Sequence, residues 1–186
     1  NDGKRGIRDF VWAHDGTHLL YPQDTGGDEN WHVFAVDVSS GTTRDLTPLP
    51  GVQARIAARS RVRPFEIVVA LNDRDPRWHD LHLLDLRTGA RTLLFRNDRF
   101  LAFDLDDSYR IHFAIEPAPG GRRILRRRGE DWETFAEIPM EDELTTTMLD
   151  VTADGSFAYM LDSRGRDTGA LFEIDLTTGE RRLLAE

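Results

Sequence analysis

The stretch Val36-Asp37-Val38-Ser39-Ser40-Gly41 occurs three times in this chain with small changes. It returns as Leu84-Asp85-Leu86-Arg87-Thr88-Gly89 and as Ile174-Asp175-Leu176-Thr177-Thr178-Gly179. Each copy has the form of a strand end and a tight turn, in which glycine supplies the positive φ and the Asp and Ser/Thr side chains bind nearby backbone N–H groups. The aspartates lie 48 and then 90 residues apart, which corresponds to one and two steps of a single period. A period of about 40–50 residues built from short strands is typical of a β-propeller.

A second feature repeats with the same period. Apolar segments end at Tyr21, Leu71, Ile115 and Leu161, at steps of 50, 44 and 46 residues. Their apolar residues are consecutive rather than alternating, as in the run 67–71. A strand covered on both faces has this pattern, whereas a two-layer sandwich would show alternation. The pattern therefore favours stacked propeller blades over a sandwich.

Four repeat units follow from these two features, at about residues 7–48, 54–97, 100–139 and 146–186. We predict an all-β chain that forms a β-propeller fragment of about four four-stranded antiparallel blades, of the WD40-like and TolB-like kind. The first strand is expected at Ile7–Ala13, and loops are expected at Asn72–Pro76 and Pro117–Gly121. One helical turn is expected within Pro139–Leu144.

Composition narrows the classes of function. The 186 residues are 39% hydrophobic and 31% charged, which indicates a globular chain, and the formal charge of −9 argues against a nucleic-acid partner. The longest apolar runs fall far short of the roughly 20 residues that a membrane helix needs, so no membrane partner is expected. The absence of cysteine fits a reducing compartment, and we expect a cytoplasmic protein. Because the chain opens on Asn1 and not on methionine or a secretory signal, we expect a processed chain or a piece of a longer one.

Several segments resemble a known family. The run Phe-Val-Trp-Ala-His-Asp-Gly-Thr-His-Leu-Leu-Tyr at 10–21, the loop Asp24–Trp31 and the ending Asp45-Leu46-Thr47-Pro48 resemble the propeller domain of the prolyl oligopeptidase family of serine peptidases. The resemblance is to its acylaminoacyl-peptidase and dipeptidyl-peptidase-like branches in particular. The segments 72–75 and 161–167 resemble later blades of the same domain.

The resemblance implies a non-catalytic N-terminal propeller segment that caps an α/β-hydrolase domain and limits access to peptides. The implied partners are that hydrolase domain of the parent chain and peptide substrates. The family's catalytic motif, Gly-x-Ser-x-Gly on a strand–turn–helix, does not occur in these 186 residues. We therefore expect no catalytic residue here, no enzyme activity of this chain alone, and a serine-type peptidase as the parent protein.

One loop carries the candidate contact residues, which are Asp24, Asp28, Glu29 and Asn30. Carboxylates pair with ammonium groups, so this loop is a candidate for contact with a peptide N-terminus or with a partner domain. The competing interpretation is a solvated acidic loop between two strands, with Asn30 ordering the loop through local backbone bonds.

Other polar groups point to ordinary structural roles. His79 and His82 lie three apart, so on a strand they face opposite ways, and neither a metal nor any other cofactor is expected. The carboxylates Asp104, Asp106 and Asp107 lack the spacing of an EF-hand and fit a turn. A basic cluster (Arg122, Arg123, Arg126, Arg127 and Arg128) lacks interleaved aromatic residues and fits a solvated outer strand or a salt-bridged interface.

Two other functions stay open at the level of sequence. A stand-alone TolB-like propeller would bind a protein partner through loops on one rim, and a stop codon after Glu186 would favour it. A lyase or glycosidase on a small propeller would need clustered carboxylates or histidines at the axis, and nothing in the pattern singles these out. Blades cut from a larger ring would also expose apolar sheet faces at each end, which predicts self-association.

Overall fold

Four separate four-stranded antiparallel sheets make up the computed structural model, which describes residues 6–7 and 9–186. In each sheet the strands follow one another in chain order, so each sheet is a simple meander. The first two sheets consist of β1 Val11–Trp12, β2 His18–Gln23, β3 His32–Asp37, β4 Thr43–Asp45, β5 Ala54–Arg59, β6 Glu66–Asp75, β7 Trp78–Asp85 and β8 Arg91–Phe95. The last two consist of β9 Ala102–Leu105, β10 Ile111–Ala118, β11 Gly121–Arg128, β12 Asp131–Pro139, β13 Thr147–Val151, β14 Phe157–Asp162, β15 Ala170–Asp175 and β16 Arg181–Ala185. The predicted all-β class with four propeller blades is confirmed.

The three repeated turns have the predicted structural role. Asp37 Oδ1 accepts hydrogen bonds of 2.9 Å from the backbone N–H groups of Ser39 and Ser40, and Gly41 at φ 70° donates to the Asp37 carbonyl at 2.8 Å. Asp85 and Asp175 make the same bonds in their own turns. These hydrogen bonds lower the pKa of Asp37 to about 2, with the Ser39 hydroxyl as the largest cause.

Three boundaries differ from the prediction. The segment 72–75 is not a loop, because β6 continues through it and meets Trp78 across a two-residue turn. Side-chain hydrogen bonds from this polar segment to β7 replace the apolar contacts that usually sustain a strand. Most of the predicted loop 117–121 is likewise strand, since β10 runs to Ala118 and β11 begins at Gly121.

The first predicted strand is shorter than expected, because only Val11–Trp12 pair with β2. Arg8, within the predicted range, lies outside the described residues. The predicted helical turn is confirmed as a 3₁₀ helix at Met140–Asp142.

The chain divides into two compact units, Asn1–Asp98 and Arg99–Glu186, with two blades in each. In the first unit Leu20 and Val33 pack with Val69 and Leu84 in a buried core. In the second unit a separate core forms, with these buried members: Phe113, Ile115, Ile124, Ala136, Ile138, Met148, Val151, Ala158, Met160, Ile174 and Leu176.

Three of the second strands bury consecutive residues, as the sequence indicates, and in β2 these are Leu20 and Tyr21. Residues 67–69 of β6 and 113–115 of β10 are buried throughout, so both faces of these strands are covered. In β14 burial alternates instead. No helix among the described residues has the length and apolar character to cross a bilayer.

Candidate functional site

A meander fixes which loops share an edge of a blade. The loop between the second and third strands and the segment after the fourth strand leave from the same edge. In the first unit this rule places the acidic loop between β2 and β3 beside the segment that enters β5. Backbone bonding confirms the contact, since the Ala54 N–H donates to the Trp31 carbonyl at 2.7 Å.

The acidic loop is folded around its own first residue. Asp24 is only 3% exposed, and its Oδ2 accepts the Glu29 N–H at 3.3 Å. Gly26 and Gly27 have φ of 67° and 87°, and Glu29 has the left-handed φ of 60° that side chains other than glycine seldom adopt. Asp24 therefore lies inside the loop and shapes it.

The tip of the loop exposes carboxylates. Asp28 Oδ1 accepts the Asn30 N–H at 3.1 Å, and Asp28 Oδ2 accepts the Asn30 Nδ2 amide at 3.2 Å. Desolvation alone would raise the pKa of Asp28, but the hydrogen bonds from Asn30 and Thr25 outweigh it and the pKa is lowered. Asp28 is consequently an anion at neutral pH, and it lies with Glu29 on the exposed part of the loop.

Gln53 joins this loop to the second blade. Its side-chain Nε2 donates to the Glu29 carbonyl at 3.3 Å, while Oε1 accepts from Arg55 at 2.8 Å and lies 3.2 Å from His79 Nε2. Burial lowers the pKa of His79, and the nearby positive charge of Arg55 lowers it further. The bonds of Gln53 thus hold the acidic tip beside a polar edge of the next blade.

Sequence reasoning placed Asp24, Asp28, Glu29 and Asn30 together, and the structure describes all four in one loop. Sequence reasoning did not place Gln53 or His79 beside this loop. The available signal was topological, because a residue just before a first strand must lie on the edge that carries the preceding second-to-third-strand loop.

The arrangement suits recognition of a cation. Two exposed carboxylates on a tethered loop can accept hydrogen bonds from an ammonium or guanidinium group. This role of the loop residues stays a prediction.

Imidazoles beside carboxylates occur elsewhere, in local roles. Nδ1 of His18 lies 2.5 Å from Asp15 Oδ2 within one turn, and Nδ1 of His32 lies 2.7 Å from Asp45 Oδ2. His112 Nε2 lies 2.9 Å from Asp106. Asp106 also accepts the Arg110 N–H at 3.0 Å, so it has the predicted turn role, whereas Asp104 lies within β9 and not in a turn.

A buried hydroxyl network lies in the second unit. Ser163 Oγ donates to Asp142 Oδ1 at 2.6 Å and lies 3.0 Å from Thr146 Oγ1. Arg122 donates to the carbonyls of Glu143 and Thr146 at 2.6 and 2.8 Å. These bonds attach the connection between β12 and β13 to its neighbouring strands.

The basic cluster is internally compensated. Arg123 pairs with Glu137 at 3.1 Å, and Arg128 pairs with Glu133 at 2.7 Å. Arg126 is buried. The prediction that this cluster lies on an outer strand is wrong, because β11 lies between β10 and β12 within its sheet.

The comparisons with known proteins give two curated relatives. The chain is 45% identical over 188 residues to dipeptidyl aminopeptidase BIII of Pseudoxanthomonas mexicana, covering all of this chain and 27% of that protein. It is 23% identical over 182 residues to dipeptidyl peptidase family member 6 of Caenorhabditis elegans, covering 89% of this chain and 24% of that protein. The chain therefore spans about a quarter of the length of these relatives. No protein-family model matches it.

Solved structures share the fold at low identity. Puromycin hydrolase superposes with a TM-score of 0.60 at 18% identity, over 100% of this chain and 29% of that one. A prolyl endopeptidase gives a TM-score of 0.58 at 15% identity over 99% of this chain and 30% of that one. TolB from Acinetobacter baumannii gives 0.59 at 13% identity over 97% of this chain and 43% of that one. Together with the curated relatives, these matches confirm the resemblance predicted from the sequence.

Proposed function

We propose that this chain, which is related to the propeller domains of prolyl oligopeptidase-family serine peptidases, is a non-catalytic N-terminal segment that controls which substrates reach a hydrolase domain in the same parent chain. The parent protein would be a serine-type peptidase that acts on peptides. This chain would contribute a rim of loops and no reacting group.

One observation carries the proposal. The identity of 45% extends over the whole chain but over only 27% of dipeptidyl aminopeptidase BIII, so the shared part is one portion of a larger protein. The four blades account for that portion, and its sequence contains no Gly-x-Ser-x-Gly motif.

Hydrolysis assays on two proteins test the catalytic part of the proposal. A chromogenic dipeptide substrate should be cleaved by the parent protein and not by residues 1–186 purified alone. Peptide hydrolysis by this chain unaided would overturn the proposal, as would a parent reading frame without a downstream hydrolase domain.

The acidic loop gives a sharper test of substrate control. In the parent protein, Asp28→Asn combined with Glu29→Gln should raise KM several-fold for peptides with a free N-terminus, because an ammonium group loses its carboxylate partners. Peptides with a blocked N-terminus should keep their KM. The matched control is Glu180→Gln, which removes an exposed carboxylate from the turn between β15 and β16.

The same variants separate peptide recognition from a domain contact. If the loop instead binds the hydrolase domain, both classes of peptide should lose kcat and the thermal stability of the parent should fall. If KM, kcat and the thermal stability all stay unchanged, the loop is a solvated loop without a role in substrate control.

The cytoplasmic location is a further part of the proposal. It is supported by the absence of cysteine from all 186 residues, and cell fractionation with an antibody to the parent protein would test it. The alternative of a stand-alone binding module has weaker support, since the curated relatives are about four times as long as this chain.

A further inference from the structure

The hairpin of β6 and β7 brings two carboxylates and an imidazole together. Asp80 and His82 are two apart on β7, so their side chains share one face of the sheet. Asp73 lies in the polar extension of β6, where the register shifts between Leu71 and Asp75. One ligand atom from each of Asp73, Asp80 and His82 lies within 4.8 Å of the other two.

His82 is the unusual member of this group. The residue is 9% exposed, and among the described residues none offers its Nε2 a hydrogen-bond partner. The nearest carboxylate oxygen across the gap is Asp73 Oδ1, at 4.0 Å. That separation is too long for a hydrogen bond, and a tetrahedral ion with bonds of roughly 2.1 Å would draw the two atoms together to about 3.4 Å, a small shift for the exposed side chain of Asp73.

Three other imidazole–carboxylate pairs in the described ranges are in direct contact. Those of His18, His32 and His112 have separations of 2.5, 2.7 and 2.9 Å, which are direct hydrogen bonds. Among the described residues, none forms such a bond with His82 Nε2, so this atom could bind a metal ion without first breaking one.

Asp80 is oriented by its neighbours and keeps room for a ligand. Its Oδ1 accepts the Asn97 N–H at 2.7 Å and Arg74 Nη2 at 2.8 Å, while its Oδ2 accepts Arg74 Nε at 2.8 Å. A carboxylate oxygen has two lone pairs, so Oδ2 can hold this bond and still bind a metal ion. Hydrogen-bonded carboxylates of this kind are normal around metal sites.

The local charge permits an added cation. Arg74 pairs with Asp80 and with Asp98, the latter at 2.9 Å, and Arg91 lies 3.5 Å from Asp73 Oδ2. Three carboxylates and two guanidinium groups leave a formal charge of −1. Arg91 competes for Asp73, which limits affinity and provides a test.

From this geometry we propose that Asp73, Asp80 and His82 bind a divalent transition-metal ion such as Zn²⁺ within the second blade. One imidazole nitrogen and two carboxylate oxygens are ligands that Zn²⁺ accepts, whereas Ca²⁺ prefers oxygen ligands alone. Three protein ligands leave a position for water. The ion would tie the extension of β6 to β7 and so hold this hairpin in place.

Calorimetric titration of the metal-free protein with ZnCl₂ is the direct test. We expect one site whose affinity falls at least tenfold in His82→Gln and in Asp73→Asn. His79→Gln is the matched control, because His79 is on the same strand but bonds to Gln53. The affinity of this variant for Zn²⁺ should equal that of the wild-type protein. Since Asp73 is largely at the surface, Asp73→Asn should fold even if His82→Gln does not, and circular dichroism checks both.

A fourth variant tests the competition. Arg91→Met should bind Zn²⁺ several-fold more tightly, because Asp73 is released from its guanidinium neighbour. Absence of binding by the wild-type protein, equal loss in His79→Gln, or unchanged affinity in both Asp73→Asn and His82→Gln would each overturn the site.

Discussion

At the scale of single residues, aspartate shapes much of this chain by binding backbone N–H groups at strand ends. Asp37, Asp85 and Asp175 each end a third strand and organise the turn that follows. Their carboxylates are committed to the backbone, so they are poor candidates for a ligand.

The turn glycines give the first prediction. Gly89 has φ 75° with open space where a Cβ would be, so the cost of a side chain there is conformational and not a clash. Gly89→Val should lower the free energy of unfolding by about 1–2 kcal/mol. Gly89→Asn is the control and should cost less, because asparagine adopts this conformation more readily. Equal stability of both variants in urea unfolding would contradict this account.

The buried carboxylate of Asp162 gives the second prediction. Burial alone would raise the pKa of Asp162, but Arg164 and Arg181, each 2.7 Å away, outweigh it and hold the pKa far below its usual range. Asp162→Asn should cost about 2 kcal/mol at pH 7, a reduced figure because both arginines reach solvent.

The pH dependence of that cost has a definite sign. A carboxylate whose pKa is depressed by folding stabilises the folded state above its unfolded pKa of about 3.9, and this contribution is lost as the pH falls below it. The difference between wild type and Asp162→Asn in urea midpoint should therefore be constant from pH 7 to 5 and shrink below pH 4. A difference that widens in acid would refute the assignment.

At the scale of elements, periodicity predicted the blades well because the formation of each strand depends on its local pattern of apolar and turn residues. The recurring turn and the apolar second strands were sufficient to find four repeats and most strands. The extension of β6 through Asp75 was missed, since Asn72 and Arg74 are held by side-chain hydrogen bonds to Pro76 and Asp80, which no apolar pattern records. For the same reason the juxtaposition of His82 with Asp73, and of Gln53 with the acidic loop, required coordinates.

The core of the second unit gives the third prediction. Phe113 on β10 is fully buried and packs edge-on against Phe135 at 5.2 Å between ring centroids. Phe113→Ala should lower the free energy of unfolding by about 3–5 kcal/mol, because it leaves a cavity in a packed core. Leu183→Ala on β16, where the side chain is 47% exposed, should change it by less than about 0.5 kcal/mol. Similar losses in both variants would show that this core is not the one that holds the unit together.

At the scale of the whole molecule, the presence of two separate hydrophobic cores has a consequence that hydrogen exchange can measure. Each unit has its own set of buried side chains, so the effect of a core mutation should be largest within its unit. Hydrogen exchange of Phe113→Ala is accordingly expected to rise more in residues 99–186 than in residues 9–98. Such a gradient would also show that a domain built from blades can lose order piece by piece.

Self-association is the last prediction, and it follows from the sheet faces of the fourth blade. Ala158 and Met160 turn into the core of the second unit, so by alternation Tyr159 and Leu161 lie on the other face, where Leu171 pairs with Leu161. A partly exposed apolar face of this kind favours association, and light scattering should show a mass that rises with concentration. Leu161→Glu should shift the protein toward monomer, whereas Leu144→Glu, at a fully exposed position after the 3₁₀ helix, should not. A concentration-independent monomer would instead mean that this face is already covered within the chain.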